Sequence, residues 1–141
     1  MSKYKLMNIA LAGLLIASAG CLTSKDINAK LGENNSLDIG QSVYITSEGM
    51  QIEFVDVTSD SRCPEGVTCI WAGEVTAKVS IRKGNLQDEL VLTESGLSNG
   101  EAEVIYQGYR LIYHVEPYPE YEKTIAKNQY QLLLTVNKQL I

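Results

Sequence analysis

Histidine and cysteine are scarce in this 141-residue chain, which has one His and three Cys. A zinc site built from those two residue types alone would use every one of them. The patterns HExxH, GxSxG, GxGxxG and the Walker A loop do not occur, which removes the most readily recognised metalloprotease, hydrolase, dinucleotide and nucleotide-phosphate chemistries. Positive charge is the minority, with 12 Lys+Arg against 17 Asp+Glu. An acidic surface repels nucleic acid and anionic headgroups, so no nucleic-acid partner is expected. Internal repeats and low-complexity tracts are missing. What remains is globular composition, 45% hydrophobic and 21% charged, at a length that suits one domain.

The N-terminus reads as a targeting segment. Lys3 and Lys5 precede an uncharged, mostly apolar run from Leu6 to Ala17. That run has the length of a signal-peptide core and is short for a membrane span. Ser18-Ala19-Gly20 and then Cys21 follow. A cysteine straight after Ala-Gly resembles the lipobox of prokaryotic lipoproteins, in which the cysteine is lipidated and becomes the first mature residue. Ser18 departs from that pattern, where Leu is usual three residues before the cysteine. Cleavage after Ala17-Ser18-Ala19, giving a soluble secreted protein, and retention as an uncleaved anchor are the alternatives; the lipoprotein is preferred. Residues 1–20 are thus expected to be a signal peptide, and Cys21 the site of a membrane-anchoring lipid. Two lysines and no acids leave with that segment, so the net charge moves from −5 to −7.

With Cys21 assigned, Cys63 and Cys69 form an even pair in an exported protein, spaced C-x5-C. Export favours a disulfide over two free thiols or a metal pair. Closing so small a ring constrains the unfolded chain by only about 2 kcal/mol, so its main effect is to fix one loop.

Residues 22–36 are polar and lack strand alternation; with Cys21 they read as a tether, residues 21–36. From residue 37 the period is two, the signature of strands. Leu37, Ile39, Val43 and Ile45 share one parity. Ile52 and Phe54 share another, and Val55 and Val57 change phase as at a bulge. Val75, Ala77, Val79 and Ile81 form the cleanest series. Leu86, Leu90 and Leu92 are interrupted by Asp88. Three further series follow: Ala102–Tyr106, Tyr109–Val115 and Tyr130–Val136. About seven strands, with turns at 47–49, 83–85, 95–100 and 108, predict an all-β domain over residues 37–141. The expected architecture is an antiparallel β-sandwich, immunoglobulin-like or similar. The long connections are 59–73 and 116–129.

The first of these contains DSRCPEGVTCIWAGE, residues 60–74. Asp60 and Ser61 suit an Asx-type turn, and Asp60 lies within pairing reach of Arg62. Pro64 stiffens the start of the ring, and Glu65-Gly66 is a turn pair. Trp71 shares parity with Gly73 and Val75, which predicts that it points inward and caps the sandwich. The stretch resembles the signature DSRCP-x-x-V-x-C-x-W-x-G of a family of small, functionally uncharacterised prokaryotic lipoprotein domains. The later HVEPYPEY is also similar to that family. The resemblance spans residues 37–138 and implies a fold and an exported location; it implies no activity.

The candidate binding loop comprises Asp60, Arg62, Glu65, Trp71 and Glu74, with Tyr118 and Tyr121 from the PYPEY segment. A rigid loop with its tyrosines folded back is preferred for that segment. Asp56, Asp60, Glu65 and Glu74 are also the only carboxylate grouping considered for Ca²⁺. No metal or cofactor is expected. His114 alternates with Val115 and is expected at the surface. The leading reading is an exported, lipid-anchored envelope module that is not an enzyme. It would bind a protein or glycan, or support envelope structure. A hydrolase using loop carboxylates and a protease inhibitor presenting residues 63–69 are the competitors. An exposed, extended ring would favour the inhibitor, and a ring packed under Trp71 would favour structure.

Overall fold

Nine strands make two facing sheets in the computed structural model, which describes residues 26–98 and 101–140. The expected signal peptide and Cys21 lie outside the described residues. In chain order the strands are β1 (Ile27–Ala29), β2 (Asn34–Asp38), β3 (Ser42–Ile45), β4 (Met50–Asp60), β5 (Glu74–Lys83), β6 (Leu86–Ser95), β7 (Ala102–Tyr106), β8 (Tyr109–Glu116) and β9 (Gln131–Lys138). One sheet runs β1-β3-β4-β5-β6 and the other β2-β9-β8-β7. All pairs are antiparallel except β1 with β3, which is parallel. The expected all-β sandwich is therefore present, with nine strands rather than seven.

The alternation that marks the strands is the alternation that fills the core. Val75, Ala77, Val79 and Ile81 of β5 are buried, as are Leu111, Tyr113 and Val115 of β8 and Leu132, Leu134 and Val136 of β9. Beside the β5 residues in the same sheet, Ile52 and Phe54 of β4 are both fully buried. Register shifts between Phe54 and Asp56 and between Val57 and Ser59 produce the expected phase change, so that Val57 turns inward again. Burying each of these side chains contributes about 1.5–3 kcal/mol. The β7–β8 hairpin closes through Gln107 and Gly108, both at positive φ. That left-handed pair matches the twist of the strands it joins.

The tether expected over residues 21–36 is corrected by β1 and β2. The sandwich begins at Ile27, not at residue 37. β2 pairs along β9 and places one large apolar residue, Leu37, at full burial. Its neighbours Asn34, Ser36 and Asp38 face solvent. A short edge strand with a single inward hydrophobe carries too little periodicity to stand out from a polar linker.

β4 and β5 leave the sheet at the same end, where Asp60 pairs with Val75. The β6–β7 connection, the end of β8 and the 117–130 segment gather there too. That end carries the candidate site.

Candidate functional site

Arg62 is the centre of this end. It is 4% exposed, although it lies in a loop. Its Nε donates to Asp60 Oδ1 at 2.8 Å and its Nη2 to Oδ2 at 2.7 Å, a bidentate pair. Nη1 donates to the Val115 carbonyl at 2.8 Å, and Nη2 also to the Pro117 carbonyl at 2.9 Å. The guanidinium lies 5.1 Å from the Tyr118 ring centroid, within cation–π range. Tyr118 in turn donates its hydroxyl to the Cys63 carbonyl at 2.7 Å. One side chain thus binds the root of the disulfide loop, in the first sheet, to the end of β8 in the second.

Asp60 is held as the ionised partner. Burial pushes its carboxyl upward, but the hydrogen bonds and charge of Arg62, with help from Tyr130, outweigh this and leave it below the usual range. Tyr130 donates to Asp60 Oδ2 at 3.0 Å. Burial and that bond to a carboxylate push its phenol up to about 12. The expected Asx turn is present as well, with the Arg62 amide donating to Asp60 Oδ1 at 3.3 Å.

Cys63 and Cys69 are joined in a disulfide, as expected. The start of the ring is tied down by backbone bonds. The Cys63 amide donates to the Ala72 carbonyl, Glu65 to Pro119, and Tyr121 to Glu65. Beyond Glu65 the loop stands free, with Gly66 through Trp71 exposed. Residues 65–68 are exposed yet not extended, because Gly66 turns the chain at φ +92°. The condition set for an inhibitor loop is met in exposure and not in shape.

Trp71 is the main correction. It is 81% exposed and Ile70 is 93% exposed, so the tryptophan does not cap the core. Strand parity does not carry back through Gly73. That residue adopts φ +69°, and a Cβ placed there would meet the Ser61 carbonyl oxygen at 1.8 Å. The strand begins only at Glu74, and a left-handed residue before it breaks the alternation that would have turned Trp71 inward. Gly96 also packs too close for a side chain, with a Cβ there meeting the Ala72 carbonyl oxygen at 2.3 Å. This contact sets Leu97, 78% exposed, beside the ring. Trp71, Val67 and Leu97 line one shallow groove of about 540 Å³.

Of the remaining candidates, Glu65 and Glu74 are exposed. Asp56 bonds Lys127 at 2.7 Å, which holds its carboxyl below the usual range. Of the carboxylates considered for Ca²⁺, Asp56 and Asp60 are taken up by Lys127 and Arg62, and no metal-binding cluster exists among the described residues. Tyr118 folds back as preferred, while Tyr121 is exposed. His114 is half-buried rather than at the surface. Its Nδ1 lies 2.6 Å from Oε1 of Glu94 on β6.

Glu94 was missed by the sequence reading. It is 2% exposed, and its Oε2 accepts from the Val115 amide at 2.9 Å. Ser98 donates to Glu94 Oε1 at 2.9 Å. Its legible signal was parity, since Glu94 continues the inward series Leu90, Leu92. The carboxylate stands between the serine and the histidine, and Ser98 bonds the acid rather than the base. The three therefore lack the nucleophile–base bond of a hydrolytic triad.

No family model matches the chain, and neither a curated protein nor a solved structure is similar to it.

Proposed function

We propose that the protein is an exported, lipid-anchored envelope module without catalytic activity, whose contact surface is the disulfide ring. The observation that carries the reading is the contrast within one loop. Its root is pinned by Arg62 at 4% exposure, while Ile70 and Trp71 project into solvent. Contiguous apolar surface beside a preorganised loop is characteristic of a contact site. The apolar run before Cys21 and the resemblance of residues 60–73 to lipoprotein domains support export and anchoring. The separate pairing of Asp56 with Lys127 and of Asp60 with Arg62 supports a non-enzymatic role over a hydrolase using those carboxylates.

Mass spectrometry of the mature protein tests the anchoring, with a diacylated Cys21 in the membrane fraction as the expected result. A soluble protein beginning at Gly20 or Cys21 without lipid would refute it. For the contact surface, Ile70→Ser and Trp71→Ala should leave the unfolding midpoint unchanged. A large loss of stability in either would return the ring to a purely structural role.

A further inference from the structure

The described chain enters the domain from the ring end. β1 runs parallel to β3, β3 antiparallel to β4, and β4 climbs toward Asp60 and the ring. The chain preceding Ile27 therefore approaches from the ring side. Ile27 stands level with Ile52, through Val43. From Ile52 to Asp60, β4 rises eight residues, roughly 25 Å at the spacing of a strand and less at its bulges. The ring projects beyond that. Six peptide steps separate Cys21 from Ile27, a reach of at most about 20 Å. With β1 and β2 folded into the sandwich, only the six steps from Cys21 to Ile27 separate a lipid on Cys21 from the first strand. A lipid held within that reach of Ile27 leaves the ring end close to the headgroups.

The chemistry of the ring end fits that position. Trp71, Ile70 and Leu97 are large, apolar and exposed together. Tyr121, also exposed, sits behind them, bonded through its amide to Glu65. Tryptophan and tyrosine prefer the level where apolar chains meet polar headgroups. The surrounding carboxylates, Glu65, Glu74 and Glu120, are exposed and give no electrostatic attraction to anionic lipid. Such a contact depends on the anchor, which supplies a high local concentration to an otherwise weak interaction.

We infer that the disulfide ring docks on the lipid–water interface of the membrane that carries the anchor, with Trp71, Ile70 and Leu97 seated among the headgroups. This rests on the lipid-anchored reading above. It names the occupant of the same surface, and it fixes the orientation of the domain with the β7–β8 turn facing away from the bilayer.

Trp71 is the chain's only tryptophan, so its fluorescence reports the ring alone. The full lipidated protein is reconstituted in phosphatidylcholine vesicles whose acyl chains are brominated near the headgroup. Emission should shift to the blue and fall by roughly twofold relative to unbrominated vesicles, as for a tryptophan at the interface. Ile70→Ser combined with Leu97→Ser, both exposed positions, should abolish most of that quenching while the protein still floats with the vesicles. The Cys21→Ala protein lacking residues 1–20 should show neither flotation nor quenching. Flotation with emission unchanged by bromine would overturn the docking and leave the anchoring intact. Failure of the wild-type protein to float would overturn both.

Discussion

Replacing Arg62 with Ala should be among the most damaging single changes in the chain outside the hydrophobic core. The substitution strands the Asp60 carboxylate, whose side chain is 8% exposed, with Tyr130 and one backbone amide as its remaining donors. It also takes the guanidinium from the Val115 and Pro117 carbonyls. Removing one partner of a buried ion pair costs about 3–5 kcal/mol, largely because the other charge stays buried. A domain of this size has a total of roughly 5–15 kcal/mol, so about a fifth of the stability or more is at stake. Lys at position 62 keeps the charge but cannot form the two-pronged bond, and it should recover less than half of the loss. Urea unfolding followed by circular dichroism is the appropriate assay, because an exposed Trp71 is a poor reporter of unfolding. Acid adds an independent check. The folded-state Asp60 carboxyl is depressed, so its contribution is present above the ordinary carboxylate range and is lost as pH falls through the folded value. Asp60→Asn should remove that acid-dependent component. A cost for Arg62→Ala below about 1 kcal/mol would refute the reasoning.

Trp71→Ala should change stability by no more than about 0.5 kcal/mol, as at other exposed sites, which urea titration measures. Gly73→Ala should destabilise strongly or prevent folding, since its Cβ would lie 1.8 Å from the Ser61 carbonyl oxygen at φ +69°; expression and thermal unfolding read this directly. Replacing both Cys63 and Cys69 with Ala should cost about 2 kcal/mol, the loop-entropy figure for so short a ring, and should leave far-UV dichroism unchanged. In an alkaline titration of tyrosinate absorbance, Tyr106 and Tyr130 are both pushed up to about 12, so the component near 12 should lose about half its amplitude in Tyr130→Phe. The stability tied to the raised value of Tyr130 is full below the unfolded value near 10 and is lost as pH rises toward the folded value of about 12.

The sandwich was legible because its central strands repeat apolar residues at period two over four positions, as in Val75 to Ile81 and Tyr130 to Val136. β1 and β2 were not, because each is short and β2 buries one large side chain among polar neighbours. The Asp60–Arg62 pair was visible as a two-residue spacing. Its importance was not, because the carbonyls of Val115 and Pro117 that complete it lie more than fifty residues away. Aromatic bulk pointed to Trp71 as the stabilising side chain of the loop, and the structure gives that place to Arg62. The error has a local cause: strand parity was carried backward through Gly73, whose backbone is left-handed. Glu94 shows the opposite lapse. Its parity with Leu92 placed it inward, and a buried carboxylate should have prompted a search for partners such as His114 and the Val115 amide.

Acrylamide quenching of Trp71 tests most directly whether the loop is pinned at its root and open at its tip. Residues 22–141 suffice, since the buried hydrophobic residues among those described lie between Ala29 and Tyr130 or on β9 up to Val136. With the disulfide intact, quenching in the native domain should nearly equal that in urea-unfolded protein. Arg62→Ala should leave it unchanged in whatever fraction stays folded. A native Trp71 that is shielded several-fold from acrylamide, with blue-shifted emission, would contradict the account and restore the tryptophan to the core.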